Sequence, residues 1–301
     1  MMNLPKPTSL KISLPLTNKI FILLGCILTT TACNHIDKSQ KNEIDLKSDY
    51  SIYSKNVRDS FYISVQLPLE YQEEPKKKYP VVVLTDANFY SPMLAPILHQ
   101  YEKGGLLPPL ILVSIGYKSF SLMDSLRVRD YMFPASIPSD EMEAIGGGQN
   151  FYHFITDELL PKIDSSHRVE KDKRTLLGHS FGGYFSLLAL LEQVENKRND
   201  FTGFVSASPS LWYNDKYLFK LIQILKASAI KDTLNVFLSV GAKEEPKWSV
   251  QPVKDLSKQL SDPNIKKVIT DVEIYSHLDH MDVGLISFIK GLEKIYNKPD
   301  Q

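Results

Sequence analysis

The chain alternates between short continuous apolar runs and longer stretches with helical spacing. The runs are VVVLTD (81–86), LILVSIGY (110–117), RTLLGH (174–179), FTGFVSAS (201–208), LNVFLSVG (234–241) and KVITDVEIY (267–275). Unbroken apolar runs of this length are expected of strands covered on both faces. Ahead of them, SIYSKNVRDSFYISVQLP (51–68) falls into two β-rich pieces around a polar turn, which predicts a hairpin. Between the runs, NFYHFITDELLPKI (150–163) places Phe151, Phe154, Ile155 and Leu159 on one helical face. SFGGYFSLLALLEQV (180–194) is apolar almost all round, as a buried helix should be. DKYLFKLIQILKAS (215–228), VQPVKDLSKQLS (250–261) and MDVGLISFIKGLEKIY (281–296) continue the alternation. Strand followed by helix predicts an α/β fold, a mainly parallel central sheet with helices on both faces. Ligands of such sheets bind beyond the carboxyl ends of the strands. One connection, residues 118–149, is long and contains Arg127, Arg129 and three consecutive glycines. Its length predicts an active-site loop or a small cap.

Among the strand ends, GHSFGG stands out. Gly178-His179-Ser180-Phe181-Gly182 is G-x-S-x-G, set between an apolar strand and an apolar helix. That is the setting of a nucleophile elbow, where a sharp turn lifts a serine hydroxyl clear of the backbone. A serine hydroxyl needs a base to take its proton and an acid to orient that base. In this architecture they follow the serine in the order acid, then histidine. YSHLDHM after the last run offers His277 and His280, and His280, just before the final helix, is the expected base. VGAKEEP offers Glu244 and Glu245 as the acid, with Glu244 favoured and Asp279 as a further candidate. His179 is expected to point away from the serine. The oxyanion donors are expected to be the amide of Phe181 and that of Ala87 or Asn88 in TDANFY. Tyr131, Phe133, Trp212 and Trp248 are candidate pocket aromatics, and Arg129 a candidate anion contact or a structural partner of Asp130.

Composition adds limits. Lys plus Arg and Asp plus Glu are 35 each, so no overall field points to nucleic acid. The start of the chain differs from the rest. Lys6, Lys11 and Lys19 precede the apolar run Ile20–Leu28, which is followed by Thr30-Thr31-Ala32-Cys33. A basic start, a short apolar run and small residues predict a secretory leader, and the run is too short for a membrane span. The cysteine after a small residue resembles a bacterial lipoprotein signal, with Cys33 lipidated and Cys26 the alternative. The expected organisation is a leader at 1–32, a flexible tether at 33–48 and a hydrolase domain at 49–299. The expected location is outside the cytoplasm, on a membrane facing periplasm or exterior. Cys26 and Cys33 are the only cysteines, so the domain is expected to fold on core burial without a disulfide.

Several blocks together resemble the esterase family of α/β hydrolases, which includes enterochelin-type siderophore esterases, feruloyl esterases, esterase D and the mycolyltransferases. The likeness runs from about Val57 to Ile295. It is carried by PVVVLTDAN, VSIGY with RVRDYMFP, GGGQNFYHFITDELLPKID, RTLLGHSFGGYFSLLALL, SASPSLWYND, VGAKE and HMDVGLISFIKGL. The chain departs from the family at Ala87, where glycine is usual. The resemblance implies an α/β-hydrolase fold, with Ser180 as nucleophile, Glu244 as acid and His280 as base, and no metal or organic cofactor. It implies hydrolysis of a small-molecule or glycan ester, such as a siderophore lactone or an acylated sugar. Acyl transfer on the same three residues, or a lipid-anchored protein that binds without cutting, are the alternatives.

Overall fold

The computed structural model of the chain describes residues 47–297. The leader, nearly all of the tether, Cys26, Cys33 and the last two residues of the expected domain lie outside the described residues. In chain order the elements are β1 (Tyr50–Ser54), β2 (Asp59–Gln66), β3 (Tyr79–Leu84), α1 (Ala87–Lys103), β4 (Ile111–Gly116) and α2 (Phe120–Tyr131). There follow α3 (Gly148–His153), α4 (Leu160–Ser166), β5 (Val169–His179), α5 (Phe181–Glu195), β6 (Gly203–Ala207) and the short α6 (Tyr213–Lys216). The chain then runs through α7 (Leu221–Ala227), β7 (Leu234–Gly241), α8 (Gln251–Leu260), β8 (Val268–Tyr275) and α9 (His280–Tyr296).

The eight strands form a sheet in the order β1-β2-β4-β3-β5-β6-β7-β8. β1, β2 and β4 pair antiparallel, and the pairs from β4 through β3 to β8 are parallel. Every residue of β3, β4 and β6 is buried, which is why their sequences do not alternate. β8 lies at the sheet edge and is only half-buried, with Val272 and Glu273 open to solvent. Two apolar layers cover the sheet. α1 and α9 bring Tyr90, Leu94, Leu98, Val283, Phe288 and Leu292 onto one face. α5, α7 and α8 bring Phe185, Leu188, Leu221, Val253 and Leu256 onto the other. Each such side chain, fully buried, contributes roughly 1.5–3 kcal/mol.

Two helices depart from the sequence-based expectation. α1 contains Pro92 and Pro96, and its spacing did not announce a helix. Both prolines lie on the exposed face, so their rings point away from the sheet. Tyr90, Leu94 and Leu98, four apart on the opposite face, anchor the helix to the sheet. Residues 118–149 are not an open loop. They begin with α2, whose N-cap Ser119 Oγ accepts the Leu122 N–H at 3.3 Å. α2 mixes polar and apolar residues around its circumference, so periodicity could not reveal it. Met123, Asp130 and Tyr131 are its buried positions.

The tightest point in the fold is the bend from β5 to α5. A Cβ on Gly178 would sit 1.9 Å from the Gly182 carbonyl oxygen. No side-chain movement relieves a clash between backbone atoms. Gly178→Ala is therefore expected to destabilise the fold by at least about 2–3 kcal/mol, roughly 5–10 °C in Tm. Gly104→Ala, whose Cβ would meet nothing closer than 3.4 Å, is expected to change Tm by less than about 2 °C. Thermal melts of the two variants check the contrast.

Candidate active site

Ser180 occupies the bend alone, between the last residue of β5 and the first of α5. Its φ of 62° and ψ of −117° belong to a region that residues with side chains seldom adopt, at a cost of about 1–3 kcal/mol. Three backbone bonds hold it there. The Ser180 N–H donates to the Ala207 carbonyl at 2.9 Å, and its own carbonyl accepts from Tyr184 N–H at 2.9 Å and Ser210 N–H at 3.3 Å. The hydroxyl is thereby aimed beyond the sheet's carboxyl edge.

His280 reaches that hydroxyl from the other end of the chain. It is the first residue of α9, and Asp279 caps the helix by accepting the Met281 N–H at 3.2 Å. The loop carrying His280 is stitched to the loop after β7. Ala242 N–H donates to the Tyr275 carbonyl at 2.9 Å, and Lys243 N–H to the Leu278 carbonyl at 3.2 Å. A Cβ on Gly241 would lie 2.4 Å from the Leu278 carbonyl oxygen, so this close approach requires glycine.

Ser180 Oγ lies 3.0 Å from His280 Nε2, and His280 Nδ1 lies 2.8 Å from Glu244 Oε2. A carboxylate can only accept, so Nδ1 carries the proton and Nε2 is left to accept the serine proton. Glu244 is almost fully buried, while the imidazole is 42% exposed. Burial alone would raise the Glu244 pKa. Hydrogen bonds from His280, from Ser208 Oγ at 2.5 Å and from the Gly241 N–H at 2.8 Å outweigh it and hold the carboxyl below its ordinary range. His179 turns away from Ser180, and its Nε2–H donates to the His280 carbonyl at 2.7 Å. Burial, then the neighbouring His280 ring 4.6 Å away, push the His179 pKa down to about 3. It stays neutral and acts as a fixed donor that sets the His280 backbone.

The structure thus brings together Ser180, His280 and Glu244. Glu245 faces elsewhere, capping the turn at Pro246–Val250 through the Trp248 N–H. His277 is exposed on the turn before α9. Phe181 opens α5, and Ala87 and Asn88 open α1. The first amides of a helix have no partner within it, so all three have free N–H groups to offer an oxyanion. The two helix starts meet closely, since a Cβ on Gly182 would lie 2.7 Å from Thr85 Oγ1 and 2.9 Å from Asp86 Oδ2. The Asn88 side chain is tied to the Tyr117 backbone at 2.9 and 2.7 Å.

A cleft of about 160 Å³ beside Ser180 is lined by Phe89, Phe120, Met123, Arg127, His280 and Met281, among others. The expected pocket aromatics are elsewhere. Tyr131 is fully buried under the site, and its hydroxyl oxygen accepts the Asp86 N–H at 3.1 Å. Phe133 packs edge-on against Tyr217, and Trp212 against Tyr213. Trp248 is exposed, with Lys247 over its ring. Arg129 is a structural residue that bonds Asp130 at 2.7 Å and Asp59 at 2.8 Å. The sequence reading missed Arg127, Phe89, Phe120 and Met281, because their roles depend on how α1, α2 and α9 are rotated. It also missed Ser208 as a partner of Glu244. Among the described residues no cluster of His, Cys, Asp and Glu could hold a metal ion.

A family model described as "Putative esterase" matches residues 54–285. The chain belongs to this esterase family. It is a carboxylic ester hydrolase of the α/β-hydrolase fold. Ferri-bacillibactin esterase BesA of Bacillus subtilis is 30% identical over 205 residues, covering 64% of this esterase and 68% of that protein. Apo-salmochelin esterase of Escherichia coli is 29% identical over 145 residues, which are 46% of this chain and 43% of that relative. The crystal structure of the BES protein from Bacillus cereus superposes with a TM-score of 0.71 at 27% identity, over 82% of this esterase and 93% of that chain.

The depressed Glu244 pKa has a pH consequence. The bonds to its carboxylate stabilise the esterase fully above the ordinary glutamate range and are lost as pH falls through the lower folded value. Glu244→Gln removes that titration. The Tm gap between the esterase and Glu244→Gln is expected to be full at about pH 7 and to narrow below about pH 4. Melts across this range check it, and a gap that ignores pH counts against an ionised Glu244.

Proposed function

We propose that the esterase cleaves a siderophore lactone through an acyl-enzyme on Ser180. His280 takes the hydroxyl proton as Ser180 Oγ attacks the ester carbonyl. Glu244 keeps the imidazole in the tautomer with Nε2 free and stabilises its cation. The amides of Phe181 and of Ala87 or Asn88 receive the oxyanion. His280 then protonates the departing alcohol, and water repeats the sequence to release the acid. The unbroken chain from Ser180 to His280 to Glu244, at 3.0 and 2.8 Å, is the observation that carries this reading.

The substrate class rests on two supports. The relatives above are named for bacillibactin and salmochelin. The cleft is small and rimmed by Phe89, Phe120 and Met281, which suits one apolar or aromatic arm of a larger ester whose remainder stays in solvent. We propose further that the chain is exported and held on a membrane by lipid at Cys33, a reading supported by the Lys6–Lys19 start, the Ile20–Leu28 run and Ala32-Cys33.

Ser180→Ala and His280→Ala are each expected to lower kcat by about 10⁴-fold or more, and Glu244→Gln by less, on the order of 10²–10⁴. Steady-state kinetics on a trilactone siderophore, set beside feruloyl and acetylated sugars, check both roles and substrate. Wild-type turnover by Ser180→Ala would sink the nucleophile assignment, and turnover confined to the sugars would sink the lactone. For the anchor, Cys33→Ser is expected to move the protein from the detergent phase to the aqueous phase of a Triton partition, and Cys26→Ser is not. The opposite pattern would place the lipid on Cys26.

A further inference from the structure

Asp86 precedes α1 in the left-handed region, at φ 52° and ψ 40°. An aspartate at a helix N-cap ordinarily turns its carboxylate onto the amides of its own first turn. Here it makes no such bond. Arg127, reaching over from α2, takes both carboxylate oxygens instead. Its Nε donates to Oδ1 at 2.8 Å and its Nη2 to Oδ2 at 2.8 Å. The same Nη2 donates to the His179 carbonyl at 3.1 Å, one residue before Ser180. The pair is largely enclosed, with side chains 14% and 4% exposed, and the guanidinium lies over the Phe181 and Tyr131 rings.

We propose that Arg127 is a positioning residue that keeps the oxyanion site open by holding the Asp86 carboxylate off the Asn88 amide. Without it, the carboxylate is free to rotate back onto that amide. It would then occupy the place of the oxyanion and set a negative charge against the one developing there. The second bond, to the His179 carbonyl, fastens the α1 donors to the strand that carries the nucleophile. Arg127 therefore registers the two halves of the oxyanion site against each other. Losing one oxyanion donor lowers turnover by about 10²–10³-fold in a serine hydrolase, which sets the scale. The inference rests on the Ser180 mechanism proposed above.

The test is a cycle on the full-length protein, with an aryl acetate for kcat and KM and a fluorophosphonate for the rate of Ser180 labelling. Arg127→Gln is expected to lower kcat and labelling by about 10²–10³-fold, with KM within about threefold. In the double variant Arg127→Gln with Asp86→Gly, the misplaced carboxylate is gone, and glycine tolerates the positive φ. It is expected to regain at least tenfold in both readouts. Removing the carboxylate also removes an unpaired buried charge and so restores stability; both variants are therefore assayed well below their Tm, where a merely structural role leaves kcat and labelling per folded molecule unchanged. The idea is overturned if the double variant is no faster than the single one, if Arg127→Gln keeps its kcat, or if the whole loss falls on KM, which would make Arg127 a substrate contact. Should Arg127→Gln fail to melt cooperatively, Arg127→Lys decides on the same criteria, with a loss of about tenfold expected because an ammonium cannot hold both oxygens. Peptide mapping of the wild-type adduct separates the two levels. Label absent from Ser180 overturns the nucleophile and the oxyanion role together, whereas label on Ser180 with no recovery overturns only the role of Arg127.

Discussion

The whole site depends on one backbone conformation. At φ 62° and ψ −117°, Ser180 stands where a side chain is normally unwelcome, and nothing in the residue itself favours it. The surroundings impose it. Bonds to Ala207, Tyr184 and Ser210 fix both ends of its peptide, and the bare faces of Gly178 and Gly182 let strand and helix come together around it. Released from that grip, the serine would relax to ordinary angles and its oxygen would leave the line of the His280 ring. The strain is small beside the buried core of β5 and α5 that sustains it, which is why a fold this large can hold one residue so far from its preference.

Electrostatics completes what the bend begins. Two acidic side chains are buried at the site, and each is fully engaged. Glu244 receives three donors, one of them the imidazole. Asp86 receives two, both from one guanidinium. An unpaired charge at either place would be expensive in so dry a setting. The pairing turns that expense into geometry, since each carboxylate has a single satisfied orientation. His179 contributes differently, as a ring kept neutral by burial and used as a rigid strut to the His280 backbone.

Much of this architecture was legible in the sequence, for definite reasons. β3, β4, β6 and β7 are covered on both faces, so their composition alone marks them. The elbow is legible because Gly178, Ser180 and Gly182 sit between a strand and a helix, and chain order then pointed to the strand ends that hold Glu244 and His280. What the sequence hid depends on rotation and contact. The prolines of α1 read as interruptions until the outer face is known. α2 has no apolar stripe, so residues 118–149 read only as a long loop or a small cap. Arg127 and Arg129 are two apart on that helix and are directed to different partners, and no linear pattern says which one faces the serine. Tyr131 looked like a pocket aromatic, but its ring faces inward and its hydroxyl oxygen takes the Asp86 amide.

The exposure of the His280 ring bears on what the molecule releases. With 42% of that side chain open, the imidazole borders solvent. On the acyl-enzyme route proposed above, water would be the most abundant acceptor there. A competing alcohol would need a seat of its own, in the cleft of about 160 Å³ or in the hollow of about 380 Å³ that Lys243, Glu245 and Ser249 line beside His280. On that proposed route an open ring favours release of the free acid.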